Sequence, residues 1–339
     1  MKKLRCLMAL ILVPLTLSAC AQTPVAEEEM VDITLGEVAH SIFYAPQYYA
    51  LSEGYFAEEG LNVELVNLNG ADKVMTALVS DEIQIGLMGP EASIYVANQN
   101  SEDYAINFAQ LTKRDGSFLV GREPVEDFDF STLQGEILGG RLGGVPEMTL
   151  EYVLKTNGLD IGIDDPSKEV NVRTDIQFAA MAGSFLAGEA DYTTLFEPTA
   201  TEIEKEGRGY IIASIGQYSG EIPYTAYSAS NKYISEHPEV IQAFTNAVYK
   251  AQIAMQETPA EEIAAAIQPY FTDMELEDIV TVMERYRSID AWCTNPVFEQ
   301  SSFEKLMDVM ALAGQLDKRA SYEMIVDNTF AQQAIDNAK

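Results

Sequence analysis

The sequence predicts an α/β protein of two lobes, joined by two chain crossings and followed by a helical tail. Three observations predict it. The apolar pattern switches repeatedly between period 2 and period 3.6, as successive βα units require. The alternation runs twice, on either side of extended stretches near residues 117–123 and 221–226. From Ser235 onward only helical periodicity remains.

In the first alternation, Asp32–Val38 reads as a strand, Pro46–Glu58 as a helix, Asn62–Leu68 as a strand and Ala71–Asp81 as a helix. A short buried strand Ile83–Met88, a helix Pro90–Asn98 and a strand Tyr104–Leu111 complete it. Ser117–Arg122 reads as an extended crossing. The second alternation takes strand Glu136–Gly139, helix Pro146–Thr156, strand Glu169–Arg173 and helix Gln177–Ala187. Strand Asp191–Leu195, helix Glu197–Glu206 and strand Tyr210–Ile215 follow, and Tyr224–Ser230 is extended again. In the tail, Val240, Phe244, Val248, Ala251 and Met255 form one apolar stripe at helical spacing, a core face. The expected division is residues 31–119 with 224–339 as lobe 1 and residues 120–223 as lobe 2. Two lobes on a double hinge enclose a cleft, a common ligand site, and can close on what enters it.

Before the first strand stand Lys2, Lys3 and Arg5, an apolar run from Leu7 to Leu17, and small residues ahead of Cys20. A basic start, a short apolar stretch and a small-residue cleavage site make a secretory signal. The run is short for a membrane span. Leu17-Ser18-Ala19-Cys20 resembles the bacterial lipobox, in which the cysteine is acylated and becomes the new N-terminus. Residues 1–19 are therefore expected to be removed and residues 20–30, with Glu27-Glu28-Glu29, to form a lipidated tether. The chain is expected outside the cytoplasm, held to the cell membrane by that lipid alone.

The chain holds 53 acidic and 21 basic residues, a net charge of −32. The leader carries three basic groups and no acid, so the mature chain stands at −35. Such a surface repels phosphate backbones and anionic lipid, which excludes nucleic acid as a partner and a basic patch as the membrane contact. With 47% hydrophobic residues, 17 Tyr and 14 Phe, the chain has ample core material, unlike a disordered acidic segment. Of three cysteines, Cys6 leaves with the leader and Cys20 is acylated, so Cys293 remains with no partner for a disulfide. The histidines are His40 and His237, and no CxxC or HExxH spacing occurs, so neither a metal nor another cofactor is expected.

His40-Ser41-Ile42-Phe43-Tyr44-Ala45-Pro46 leads into Gly54-Tyr55-Phe56 and then Glu59-Gly60-Leu61-Asn62-Val63. Gly143-Gly144-Val145-Pro146, Phe196-Glu197-Pro198 and Pro223-Tyr224-Thr225 follow in order. This series resembles the type II solute-binding proteins of ABC importers, in the group that binds sulfonates, nitrate and thiamine precursors. The resemblance covers roughly residues 32–255. It implies a two-lobed periplasmic-binding-protein fold that is a transporter component rather than an enzyme, with permease and ATPase subunits as partners, acting as a monomer. The related fungal pyrimidine synthases use a cysteine-rich iron-binding motif that this chain lacks.

In such folds ligands meet loops at the carboxyl ends of strands, where helix N-termini point inward. A bare helix N-terminus is an anion site. Here the corresponding turns carry acids: Glu91 after Gly89-Pro90, Glu147 after Gly143-Gly144-Val145-Pro146, and Glu197 before Pro198. Each carboxylate can stand where an oxyanion would. Taken singly, each reads first as a capping acid worth ~0.3–1 kcal/mol, ahead of a ligand contact. Three at three cleft turns, with Asp191, favour a ligand that donates hydrogen bonds. Tyr44, Tyr48, Tyr192 and Tyr224 fall in or beside strand-end loops and offer stacking faces, with Tyr44 and Tyr192 foremost. His40 is either a loop hydrogen-bonder or a ligand contact, and Asn69-Gly70 either a turn or a close backbone approach. Lys113, Arg114 and Asp115 precede the first crossing, as ligand or hinge contacts. The expected ligand is a nitrogen heterocycle such as a thiamine-precursor pyrimidine. The alternatives are a sulfonate, nitrate or similar oxyanion, a sensor role, or a pyrimidine-synthase-like enzyme of the same fold.

Overall fold

The computed structural model describes residues 30–99 and 104–338. The expected leader, Cys20 and all of the tether but Met30 lie outside the described residues. The first sheet begins with β1 (Val31–Glu37), β2 (Leu61–Asn67) and β3 (Ile85–Met88), mutually parallel in the order β2-β1-β3. Between them run α1 (Ala45–Ser52), α2 (Tyr55–Glu58) and α3 (Ala71–Val79), and α4 (Glu91–Asn98) leads on to β4 (Ala105–Thr112). The helix expected over 46–58 is two helices, because Gly54 takes a left-handed φ of 74° between them. Such a backbone angle suits glycine and breaks the helical ladder.

Gly36 and Gly86 are register partners on β1 and β3. A Cβ on either would meet Ile83 or Val74 at 2.6–2.7 Å. The missing side chains let α3 lie close on the sheet and set its N-terminus at the rim of the cleft.

The chain leaves this sheet at residues 113–117. β5 (Phe118–Gly121) already pairs with strands of the second sheet, so the boundary expected after residue 119 falls inside a strand. The second sheet adds β6 (Gly135–Leu138), β7 (Ile161–Ile163), β8 (Val170–Arg173), β9 (Tyr192–Leu195) and β10 (Tyr210–Ser214), in the order β10-β5-β9-β6-β8-β7. Sequence periodicity missed β7, which is three residues long. The helices here are α5 (Val145–Thr156), α6 (Met181–Leu186), α7 (Thr199–Lys205) and α8 (Ile215–Ser219).

The chain returns through residues 220–224 into β11 (Thr225–Ser230), which pairs antiparallel between β3 and β4. The two crossings lie side by side, with Ile222 N–H on Lys113 O at 2.9 Å and Tyr224 N–H on Thr112 O at 3.1 Å. Lys113 pairs with Asp290 at 2.8 Å, and Arg114 lies 3.7 Å from Glu221, so these two serve the hinge.

The tail is α9 (Asn231–Glu236), α10 (Pro238–Glu257), α11 (Ala260–Ile267), α12 (Leu276–Ser288), α13 (Gln300–Leu312), α14 (Tyr322–Ile325) and α15 (Thr329–Asn337). The expected stripe on α10 is buried along its whole length. It packs with Phe56, Phe108 and Tyr227 around Phe244, and each such side chain contributes ~1.5–3 kcal/mol by leaving water. The tail also reaches the second sheet's half. Arg285 of α12 binds residues of the α7 turn, and Lys305 of α13 sits 4.1 Å above the Tyr152 ring. No helix among the described residues is long and apolar enough to cross a membrane.

Candidate functional site

A cavity of about 470 Å³ opens where the carboxyl ends of strands from both sheets face each other. Parallel strands present their C-terminal ends and the following helix starts to one edge, which concentrates loops and helix N-termini there. The turn after β1 contributes His40, Ser41 and Tyr44, the turn after β2 Asn69 and Gly70, and the turn after β3 Gly89 and Glu91. From the other side come Gly144 after β6, Phe196 and Glu197 after β9, and Tyr224 from the return crossing.

Glu91 is the central feature. It is 3% exposed, on the cavity wall, at the first position of α4. Its Oε1 accepts the N–H of Val145 at 3.3 Å, so a carboxylate from the first half caps the helix start of the second. Its Oε2 is buried without a partner. Gly89 makes this possible, since a Cβ there would lie 2.0 Å from Oε2. Burial pushes the Glu91 carboxyl up to about 7, against its own backbone N–H, the Val145 N–H and the Arg141 charge, which favour ionisation. The group thus occupies a place between two helix N-termini, with one oxygen on the Val145 N–H and the other, among the described residues, without a side-chain or backbone partner at hydrogen-bond geometry.

Aromatic rings line the same space. Tyr44 and Tyr224 are buried on its wall, and Phe43 stands between them at 5.5 and 5.7 Å. Phe196 approaches Tyr224 at 6.1 Å and Phe178 at 5.6 Å. The Tyr224 hydroxyl is buried beside the Asp115 carboxyl, and burial, followed by that acid, holds it far above its ordinary pKa. Near it Asp115 is fully buried, its carboxyl pushed up to about 7 by desolvation.

Several expected site residues have other partners. Glu197 lines the cavity, but its carboxylate turns into α7. Its two oxygens accept the Thr201 N–H and hydroxyl, each at 2.9 Å, and Arg285 pairs with it. Ser41 donates to the Glu197 carbonyl at 2.6 Å, linking the two halves. Glu147 lies off the cavity wall. It is fully buried, accepts Gly143 N–H at 3.0 Å and faces Glu151, which raises its pKa further after desolvation. Gly143 is also off the wall, its carbonyl accepting the Tyr95 hydroxyl at 2.9 Å.

Tyr192 begins β9, three residues before the cavity, and packs against Gly121 within the second sheet. Asp191 accepts Glu136 N–H at 2.9 Å there. Both sit at the amino end of their strand, which is why the alternation that placed them could not bring them to the cleft. His40 lines the cavity, but both of its nitrogens are engaged. Nε2 donates to Tyr270 O at 2.8 Å, and Nδ1 lies 3.2 Å from Glu37 Oε1, which raises its pKa. Tyr48 donates to Glu37 at 2.7 Å and belongs to that framework.

Residues missed in the sequence include Lys73 and Arg141, both on the cavity wall. Their signal was a basic residue in a strand-end loop or first helical turn. Among the described residues no group of His, Cys, Asp and Glu is placed to hold a metal ion.

Glu91, Asp115 and Glu147 keep protons in the folded protein that the unfolded chain releases. Folding then takes up protons, so stability falls as pH rises from the ordinary carboxyl range through about 7 for Glu91 and Asp115 and on to about 9 for Glu147. Glu91 and Asp115 carry on the order of 3 kcal/mol each. The melting temperature should be higher near about pH 5.5 than near about pH 8, and Asp115→Asn should flatten the slope. An equal or steeper slope in that variant would remove Asp115 from the account.

A family model described as the NMT1-like family matches residues 26–268. Over 318 residues, 94% of this chain and 92% of the other, the sequence is 42% identical to YtlA of Bacillus subtilis (strain 168), named as a candidate binding protein. The alkanesulfonate-binding protein SsuA from Xanthomonas axonopodis pv. citri, bound to MOPS, aligns with a TM-score of 0.69 at 13% identity, over 89% of this chain and 99% of that one. The periplasmic nitrate-binding protein NrtA from Synechocystis PCC 6803 aligns with a TM-score of 0.68 at 16% identity, over 92% and 90%. At such identities the likeness is one of fold, the two-lobed periplasmic-binding-protein architecture.

Proposed function

The chain belongs to the NMT1-like family, and from that premise we propose that it is the solute-binding component of an ABC importer, selective for a small hydrogen-bond-donating nitrogen heterocycle. The observation that carries this reading is the Glu91 carboxylate. It stands on the cavity wall with one oxygen on Val145 N–H and the other buried and unpaired. An amino-substituted ring would donate to that oxygen and lie among Tyr44, Tyr224 and Phe196. An oxyanion at the same place would meet a like charge, a cost on the order of 1 kcal/mol or more at an effective dielectric near 20. The crossings at 113–117 and 220–224 would act as the hinge. Cys20 would carry the lipid that holds the protein outside the cytoplasm, near its permease, and Cys20→Ser should move it from the membrane to the soluble fraction.

The oxyanion reading has one observation in its favour, the basic side chains of Lys73 and Arg141 on the same wall. A thermal-shift panel separates the two. 4-Aminopyrimidines should give a saturable upward shift, while taurine, alkyl sulfonates, nitrate and bicarbonate should not. A saturable shift with a sulfonate, kept in Glu91→Gln, would overturn the proposal.

A further inference from the structure

The turn that leads from β1 into the cleft is pinned by side chains whose hydrogen bonds demand one proton beyond the neutral count. Glu37, the last residue of β1, is 1% exposed. It accepts from the Tyr48 hydroxyl at 2.7 Å and from the Gln47 amide at 3.0 Å. Its Oε1 also faces His40 Nδ1 at 3.2 Å, while His40 Nε2 faces the Tyr270 carbonyl at 2.8 Å. Both of those oxygens accept. A neutral imidazole has one N–H, so it satisfies one oxygen and sets its bare nitrogen against the other. Tyr48 lies 3.0 Å from Nδ1, but its one O–H is already needed by Glu37. Burial, and then Glu37, hold that hydroxyl far above its ordinary pKa, so it remains a donor. The arrangement closes when one added proton lies between Nδ1 and Oε1. The Glu37 contact is the largest influence on the His40 pKa and raises it, against desolvation. Among the described residues no lysine or arginine pairs with Glu37, so His40 is its counter-charge.

The proton is within reach of solvent, and the contact spans the fold. The His40 side chain is 41% exposed, beside a second cavity of about 350 Å³ lined by Leu51, Val63, Leu65, Asn67 and Tyr270. Its ring stacks on Phe271 at 4.7 Å. Tyr270 and Phe271 follow α11, so His40 ties the cleft turn to a tail segment 230 residues along the chain. The groups facing the imidazole are Glu37 from β1, Tyr48 from α1, and Tyr270 and Phe271 from the tail, with Glu37 the one acid among them. The same turn carries Ser41, which bonds the Glu197 carbonyl of the other half, and Tyr44 on the cavity wall. We propose that His40, Glu37 and Tyr48 form a proton-operated clasp: with the shared proton it holds the cleft turn against the tail, and without it the turn is freed. Loss of the proton leaves a buried carboxylate beside a bare ring nitrogen, which burial penalises, and the ring turns away toward solvent. Because the folded pKa is raised, the clasp is whole below the free-imidazole value of ~6.5 and is lost as pH rises through the folded value. None of this depends on what the cleft binds.

The chain has two histidines, His40 and His237, and one tryptophan, Trp292. The Trp292 indole donates to the Phe43 carbonyl at 2.8 Å, three residues past His40, and so reports on the turn. Two spectra of the ligand-free chain test the clasp across about pH 5 to 9. One is imidazole 15N NMR, with His237→Gln for assignment, and the other is Trp292 emission. Both His40 nitrogens should carry protons below a midpoint that lies above the free-imidazole ~6.5. Trp292 emission should move to longer wavelength through that same midpoint. Glu37→Gln should lower the midpoint in both spectra, and His40→Gln should abolish the emission step. Glu91→Gln and Asp115→Asn, which remove the carboxyls pushed up to about 7, should leave the step in place. A single protonated nitrogen on His40 at about pH 5.5 would overturn the proposal. So would an emission step that survives in His40→Gln, or a midpoint unmoved in Glu37→Gln. If Glu37→Gln does not fold, the nitrogen count and His40→Gln still decide.

Discussion

Glu91→Gln should weaken binding of an aminopyrimidine by about 10- to 100-fold, which corresponds to loss of a charge-assisted hydrogen bond worth about 1.5–3 kcal/mol. The amide oxygen can still accept the Val145 N–H, so the helix cap survives. What is lost is the second acceptor, now buried and unpaired. The pH dependence provides the signature. With the carboxyl pushed up to about 7, affinity of the parent protein should rise as pH increases from about 5.5 to 8 and the acceptor ionises, whereas the glutamine variant should show no such rise. The same titration destabilises the fold, so the protein keeps its binding group in a state that costs folding energy, a common condition at functional sites. Affinity unchanged in Glu91→Gln, or an identical pH slope in both proteins, would show that Glu91 only caps.

The second large effect falls on stability. Arg285→Met should destabilise the protein by about 3–5 kcal/mol, because it leaves Glu197 without its counter-ion in a place where that carboxylate is fully buried. For a chain of this size the melting temperature should fall by roughly 5 °C or more. The reason is geometric. Glu197 is held by Thr201 on its own helix and by Arg285 from the tail, which also reaches Glu204 at 3.1 Å. Desolvation already raises the Glu197 pKa, with Arg285 the largest opposing influence. The deficit should therefore narrow at low pH, as the carboxyl takes a proton. Glu197→Gln in the Arg285→Met background should recover part of the loss. A melting temperature within about 1 °C of the parent would mean that solvent already screens the pair.

The strands were legible because burial on a sheet imposes a period that survives in the residues themselves. β1, β2, β8 and β11 lie within two residues of where alternation puts them. The first crossing was less legible, because Phe118–Gly121 is apolar and extended in a strand as in a linker, and only its pairing with β9 and β10 makes it part of the second sheet. The site was legible as a set of turns, since turns at strand ends carry their own Gly and Pro signals. That alone fixed Gly89, Glu91, Gly144 and Tyr224 as candidates.

What the sequence could not distinguish was one acid from another. Glu91 and Glu147 each follow a proline at a helix start, and Glu197 precedes one. In the folded chain Glu91 faces the cavity, Glu147 faces Glu151 one turn along its own helix, and Glu197 faces an arginine 88 residues away. Local sequence determines that a carboxylate will stand at a helix N-terminus, because capping is a contact between near neighbours. Whether that carboxylate meets a ligand, a second carboxyl or a counter-ion depends on the rotation of the helix and on what the tail packs against it. Those are long-range contacts, and tertiary structure alone decides them.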